Sequence, residues 1–229
     1  MVTRSLETAE IEKGIDALPS PSNDIVVMWH KHPQSINLEK YILYRGEEIS
    51  NQIIFTNIFD IEANFNLDTL HEDKGLSVGT MYYYYIVAVD ENNNRSIPSD
   101  TVKYQLLEKP QLEDLSISNN TYLVNGVLTN PSQLIFRTLQ FTAGASAGSI
   151  LRIEKLGSRE LVYFEYIRQF QNADGFAVHE IVGETLLQSL FKNRDDGNFY
   201  EWRIDLADNF SLNRGSESEW NELSIKWGN

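Results

Sequence analysis

Apolar and polar positions alternate with a period of two along much of this chain. The clearest run is Gly79 to Ser99, GTMYYYYIVAVDENNNRSIPS. Tyr82, Tyr84, Ile86 and Ala88 fall on one side of it, and Met81, Tyr83, Tyr85, Val87 and Val89 on the other. Successive side chains of a strand point to opposite faces, so alternating aromatic and β-branched residues predict a strand. Asp90 to Asn94 forms a polar turn, and Thr101 to Leu107 reads as a closing strand. Upstream, Asp24 to Trp29 predicts a strand with Ile25, Val27 and Trp29 on one face. Leu38 to Arg45 predicts another, with Tyr41 and Leu43 on one face and Ile42 and Tyr44 on the other. Ile49 to Ile61 supplies further short strands. Residues 1–18 differ: Ile11, Ile15 and Leu18 have helical spacing with Thr8 as a cap, but Gly14 costs such a helix roughly 1 kcal/mol relative to Ala. A frayed tail is the expectation there, closed by the break Pro19-Ser20-Pro21-Ser22.

The second half repeats the first faintly. Tyr200, Trp202, Ile204, Leu206 and Asp208 match Tyr82, Tyr84, Ile86, Ala88 and Asp90 in the same phase, and Asn213-Arg214-Gly215-x-x-Ser218 matches Asn94-Arg95-Ser96-x-x-Ser99. A repeat of this kind predicts a second unit of similar plan. Leu134 to Phe141, Ser149 to Glu154 and Leu161 to Ile167 are its earlier strands, and Trp220 to Trp227 closes it. Gly183 to Lys192 has helical spacing at Leu186, Leu187, Leu190 and Phe191, which predicts one short helix across an end. Gly144 to Gly148 is a small flexible loop. Glu108-Lys109-Pro110 is a natural boundary, because Pro stops a strand.

The stretch GTMYYYYIVAVDENNNRSIPS resembles the last hairpin of a bacterial fibronectin type III domain, roughly G-T-x-Y-Y-Y-x-V-x-A-V-D-x-x-G-N-x-S-x-P-S. That resemblance implies an all-β chain of two tandem fibronectin type III or immunoglobulin-like sandwiches, with a short helix in the second. The implied division is a tail at 1–18, a fibronectin type III domain at 19–108 and a divergent sandwich at 109–229. It also implies that Trp29 packs in the core and that Asn64 to Leu67 is the fifth strand. His71 to Gly75 then looks like a loop insertion, and Val78 stands where Pro is usual. Tyr82 takes the place of the tyrosine corner, a buried phenol bonded back to the preceding loop. Asn93 stands where Gly is usual, and Asn tolerates a left-handed conformation.

Composition removes several function classes. Lys and Arg total 19 against 33 Asp and Glu, a net charge of −14. Both halves are acidic, which argues against nucleic-acid backbones and anionic membranes. Cysteine is absent, which excludes disulfides, thiolate metal sites and Cys nucleophiles. No apolar run approaches the roughly 20 residues of a spanning helix. Residues 1–18 carry no apolar leader segment, so the protein is either cytoplasmic or stripped of a leader; the resemblance, to modules that mostly work outside the cytoplasm, favours the cell envelope or exterior.

Chemistry-bearing motifs are few. His30 and His32 sit two apart without a third ligand nearby. Arg45-Gly46-Glu47 is not an adhesion tripeptide, and Asp90-Glu91-Asn92-Asn93-Asn94-Arg95 lacks the Gly and Glu of a calcium loop. No nucleophile elbow, His-Glu-x-x-His or phosphate loop occurs. The expectation is a non-catalytic module without a cofactor or metal. It acts in protein interaction or spacing, or alternatively as an accessory carbohydrate-binding unit using Tyr163, Phe164, Tyr166, Phe170, Phe176 or Trp220. The sharpest candidate is a face. An antiparallel sheet usually solvates one side, yet the outward positions here are Ile42, Tyr44, Tyr83, Tyr85, Val87 and Val89. Apolar area of that size marks an interface, so Ile42, Tyr44, Tyr83, Tyr85 and Val87 are expected to be covered by the second domain, a second copy or a protein partner.

Overall fold

A computed structural model describes residues 1–4, 13–31, 37–62, 69–112, 127–139, 147–167, 176–208 and 213–228. The expectations at Thr8, Ile11, His32, Asn64–Leu67, Gly144, Ala145, Ser146 and Phe170 fall outside these residues. The described residues are all-β with one short α-helix. The chain divides into two compact units, Met1–Leu18, Ser22–Leu107 and Leu212–Gly215 forming one, and Pro19–Pro21, Glu108–Ser211 and Ser216–Asn229 the other.

The first unit holds β1 (Asp16–Ala17), β2 (Ile25–Met28), β3 (Leu38–Ile49), β4 (Gln52–Glu62), β5 (Leu70–Asp73), β6 (Met81–Asp90) and β7 (Val102–Leu106). These make a three-stranded sheet in the order β1-β2-β5 and a four-stranded run in the order β7-β6-β3-β4. The core lies between them. Ile15, Ala17, Ile25, Val27 and Trp29 come from one side, and Tyr41, Leu43, Tyr82, Tyr84, Ile86, Val102 and Tyr104 from the other. The expected inward set is therefore inside, with Ala88 packed half-buried against it. Trp29 meets Tyr41 edge to face with centroids 5.8 Å apart. Rings of this size contribute about 1.5–3 kcal/mol each on burial.

Three sequence expectations need correction. His71 to Asp73 is no loop insertion: it belongs to β5, paired with β2 from Ile25↔Asp73 to Met28↔Leu70. Ile49 to Ile61 is not a set of short strands. It belongs to one long hairpin with β3, turning at Ser50 and Asn51, whose φ values of 51 and 63 are the twin positive angles of a tight hairpin turn. The described part of residues 1–18 is neither helix nor loose tail. Met1 packs on the core, and β1 pairs with β2. Gly14 explains the extended path: at φ 90 its backbone passes so near Thr3 that a Cβ would sit 2.0 Å from the Thr3 carbonyl oxygen. Arg4 and Asp16 fix the segment with a buried ion pair of 2.8 Å, and the Tyr104 hydroxyl donates to the same carboxylate at 2.8 Å.

The second unit has the same plan. Its strands are β8 (Gln111–Leu112), β9 (Val127–Thr129), β10 (Gln133–Leu139), β11 (Ala147–Lys155), β12 (Leu161–Ile167), β13 (Phe176–Val182), β14 (Tyr200–Asp208) and β16 (Asn221–Lys226), while β15 (Arg214–Glu217) falls partly in each unit. One sheet runs β13-β10-β8. The other places β11 between β12 and β14, adds β16 to β14, and adds β9 in parallel to β16. The core between them holds Leu134, Phe136, Leu151, Ile153, Tyr200, Trp202 and Ile204. The predicted helix is α1 (Glu184–Leu190), anchored by the buried Leu187.

The repeat extends to hydrogen bonds. The Tyr82 hydroxyl accepts from the Ser77 amide at 2.9 Å, and the Tyr200 hydroxyl accepts from the Lys192 amide at 2.6 Å. Each unit thus has a phenol tying its long central strand to the segment before it, as expected for Tyr82 and unforeseen for Tyr200. Ser99 and Ser218 also act alike. Each accepts an amide of the central strand on its hydroxyl, Ile86 or Ile204, at 3.0 Å, and donates its own amide back to that residue's carbonyl.

Candidate functional site

The outward face of β6 and β3 is built from the register. Tyr44 lies opposite Tyr85, Ile42 opposite Val87, and Gly46 opposite Tyr83. Directly opposed residues share a face, so the alternation carries all five expected residues to one side. Ile42 and Val87 are 3% and 6% exposed, and Val89 is 2%. Tyr44, Tyr83 and Tyr85 are half-buried. The Tyr44 and Tyr85 rings stack with centroids 4.7 Å apart. Burial, and then the neighbouring Tyr44, raises the pKa of the Tyr85 phenol.

One member of this face went unforeseen. The Phe55 ring packs on Tyr85 at 4.8 Å. It reaches there by crossing Gly46, where a Cβ would stand 2.6 Å from Phe55 Cε1 and 2.8 Å from Ile53 Cγ2. Gly46 thus leaves a gap that an aromatic from the next strand fills. The signal in the sequence was the glycine inside a strand pattern, which marks a close approach. Polar groups rim the face. Lys40 and Asp60 pair at 2.8 Å, and Arg95 Nη1 donates to the Tyr44 hydroxyl at 3.3 Å. The hydrogen bond and charge of Asp60 raise the Lys40 pKa, and the same bond, helped by Asn57, lowers that of Asp60.

The turn beyond β6 carries no ion-binding geometry of its own. Asp90 spends its carboxylate on the turn, accepting from the Asn92 and Asn94 amides and the Asn94 side chain at 2.8–2.9 Å. Those bonds, the Asn94 side chain first, lower its pKa. Asn93 takes the left-handed conformation at φ 63. His30 is exposed.

No protein-family model matches the chain, and no curated protein matches it. Among solved structures, the chain is similar to the chicken CNTN1 FN1–FN3 domains at 14% identity and a TM-score of 0.29. The match covers 93% of this chain and 65% of that one, so the chain spans about two thirds of that structure's length.

Two polar clusters in the second unit escaped the sequence reading. Ser149 Oγ lies 2.8 Å from His179 Nε2, and His179 Nδ1 lies 2.8 Å from Glu165 Oε2. Order and distances are those of a nucleophile, base and acid. Ser149 and His179 are both 0% exposed, however, so the Ser149 hydroxyl is out of reach of a substrate. The chain of bonds instead satisfies three polar groups that β11, β12 and β13 carry inward. The second cluster surrounds Trp220. The Arg159 and Arg203 guanidinium carbons each lie 4.8 Å from its ring centroid. Arg159 reaches Glu154 at 3.5 Å and Glu201 at 3.4 Å, and Arg203 reaches Asp205 at 2.9 Å and Glu217 at 3.0 Å. Burial raises the Glu154 pKa despite the arginines around it. A sugar stacking on Trp220 would compete with two cations. Tyr163, Phe164 and Tyr166 are half-buried on β12. Among the described residues, no group of three His, Asp or Glu is arranged to hold a metal ion, and no helix is long and apolar enough to cross a membrane.

Proposed function

We propose that this chain is a non-catalytic interaction or spacer module of a secreted or cell-surface bacterial protein. It comprises two fibronectin type III-like sandwiches that meet near residue 108, the first taking in β1 and the described part of residues 1–18. The observation that carries this reading is the aromatic face of the first unit. Tyr44 and Tyr85 stack at 4.7 Å, Phe55 adds to them at 4.8 Å, and Ile42 and Val87 lie buried on the same face. Tyrosine combines apolar area with a polar tip and is enriched where proteins meet. The half-buried Tyr44, Tyr83 and Tyr85 leave part of this face in reach, and a tyrosine-rich surface on a sheet that normally solvates one side supports a protein ligand over a small molecule.

The test is a parallel screen of the chain against a protein array and a glycan array. The expected result is a protein ligand whose binding is lost in Tyr44→Ala and Tyr85→Ala, with circular dichroism unchanged. A polysaccharide ligand that survives those changes and is lost in Trp220→Ala or Tyr163→Ala would transfer the function to the second unit. Hydrolytic turnover abolished by Ser149→Ala would refute the non-catalytic reading.

A further inference from the structure

β4 ends its run of strands: it pairs with β3 and, among the described residues, with nothing on its other edge. Such an edge is an open template, and folded proteins usually blunt it with Lys, Pro, a bulge or a short length. β4 is 11 residues long, and its sequence QIIFTNIFDIE contains neither Lys nor Pro. A chain with 23% charged residues and a net charge of −14 carries no charge from Ser50 to Phe59. Ile53 and Ile54 are 43% and 46% exposed, one on each face of the strand. The blunting devices sit in its far part: a bulge, where the register with β3 shifts between Leu43↔Phe59 and Tyr44↔Asn57, and the charges of Asp60 and Glu62. The bulge lies beyond Asn57, so the ladder with β3 runs without a register shift from Gln52 to Asn57.

We propose that this uninterrupted segment pairs with the same segment of a second copy of the chain, antiparallel, about a twofold axis at Ile54. The register is self-complementary. Ile54 meets Ile54 of the other copy, Ile53 meets Phe55, Gln52 meets Thr56, and Asn51 meets Asn57. Apolar side chains then face each other on both sides of the joined sheet, the arrangement that stabilises cross-strand pairs, and no like charges oppose across the ladder. A twofold contact of this kind closes on itself and stops at two copies. The acidic remainder of each chain works against the pairing through space, so the dimer tightens as salt screens it. A basic peptide on the same edge would weaken with salt. The inference concerns the edge of the sheet and stands independently of any ligand on the aromatic face.

The absence of native cysteine makes the geometry directly testable. Opposed residues of antiparallel strands have Cα atoms about 4.5–5.5 Å apart, within the roughly 4.4–6.8 Å a disulfide spans. Ile54→Cys should therefore oxidise to a covalent dimer, while Thr56→Cys, displaced from the axis, should remain a free thiol. Sedimentation velocity of the parent chain should show a monomer–dimer equilibrium that tightens between about 0.01 and 1 M salt, as the screening length falls from about 30 to 3 Å. Ile54→Lys should abolish the dimer. Ile97→Lys, at a residue 88% exposed away from the edge, should leave it intact. A chain monomeric at all concentrations and salts, a dimer that survives Ile54→Lys, cross-linking through Thr56→Cys but not Ile54→Cys, or open-ended polymers would each overturn the proposal.

Discussion

Replacing Tyr84 by Phe tests whether the first core depends on a polar anchor. Tyr84 is 0% exposed, and its hydroxyl donates to Asp73 Oδ2 at 2.9 Å. The same carboxylate receives Arg45 Nη1 at 3.0 and 3.2 Å. Asp73 comes from β5, and Arg45 and Tyr84 from β3 and β6, so the cluster joins the two sheets across the sandwich. Burial first, and the Asp73 charge second, raises the Tyr84 pKa, which keeps the phenol a donor over the whole working range. Tyr84→Phe keeps the ring and deletes one bond to a charged acceptor, worth about 1.5–3 kcal/mol. Arg45 remains on the carboxylate, which places the loss near the lower end, about 1.5–2 kcal/mol. With a urea m-value of about 2 kcal/mol/M, the midpoint of the first unit falls by about 0.8–1 M. Pulse-labelling hydrogen exchange of peptides from β2 and β6 along a urea series reads that unit separately. A midpoint within about 0.2 M of the parent would refute the anchoring. A double-mutant cycle sharpens the test: Asp73→Asn must cost less in the Tyr84→Phe background than in the parent, and equal costs would mean that the two groups do not couple.

Tyr82→Phe and Tyr200→Phe should each lower the stability of their own unit by about 1 kcal/mol, measured by the same exchange method; a loss appearing in the other unit would contradict the paired corners. Burial holds the His71 pKa below the ordinary imidazole value, against the opposing pull of Asp73 and Glu72. The unfolded chain therefore protonates first, at about pH 6.5, so the first unit should be fully stable above that pH and weaken below it until the folded imidazole protonates too. His71→Gln should flatten that dependence, and an unchanged pH profile would exclude His71 as its source. Gly46→Ala should push Phe55 off Tyr85, seen as loss of ring-current shifts in the NMR spectrum; an unaltered spectrum would mean the ring does not need the gap.

How far the fold could be read in the sequence is best judged from β5 and β13. The strands with clean alternation, β2, β3, β6, β10, β11, β12 and β14, were legible because most of their inward positions are apolar or aromatic, enough to keep the period visible past Arg45, Thr138, Ser149 and Glu165. β5 and β13 were not, and for one reason. Each turns a polar residue inward, Asp73 in Leu70-His71-Glu72-Asp73 and His179 in Phe176–Val182. That residue breaks the apolar period, and its partners, Tyr84 and Arg45 or Ser149 and Glu165, lie too far along the chain for local pattern to supply. The outward face was legible for the opposite reason, since β6 is apolar on both sides. Phe55 was missed because its membership depends on the register between β3 and β4, which only the folded hairpin fixes.

The two units share a strand plan and a repeat, which exposes a tandem chain to exchanging equivalent strands between its halves while it folds. Asp73 and His179 make such an exchange costly. If β14 entered the first sandwich in place of β6, the Trp202 indole would stand where the Tyr84 hydroxyl meets Asp73, and Arg45 would share the carboxylate with no phenol. If β5 replaced β13, the Ser149 hydroxyl and the Glu165 carboxylate would lose the imidazole that lies between them. A buried polar group stripped of its partner costs about 1–3 kcal/mol, more when charged. The residues that hid β5 and β13 from a reading of the sequence therefore act as identity marks, by which each half of the chain recognises its own strands.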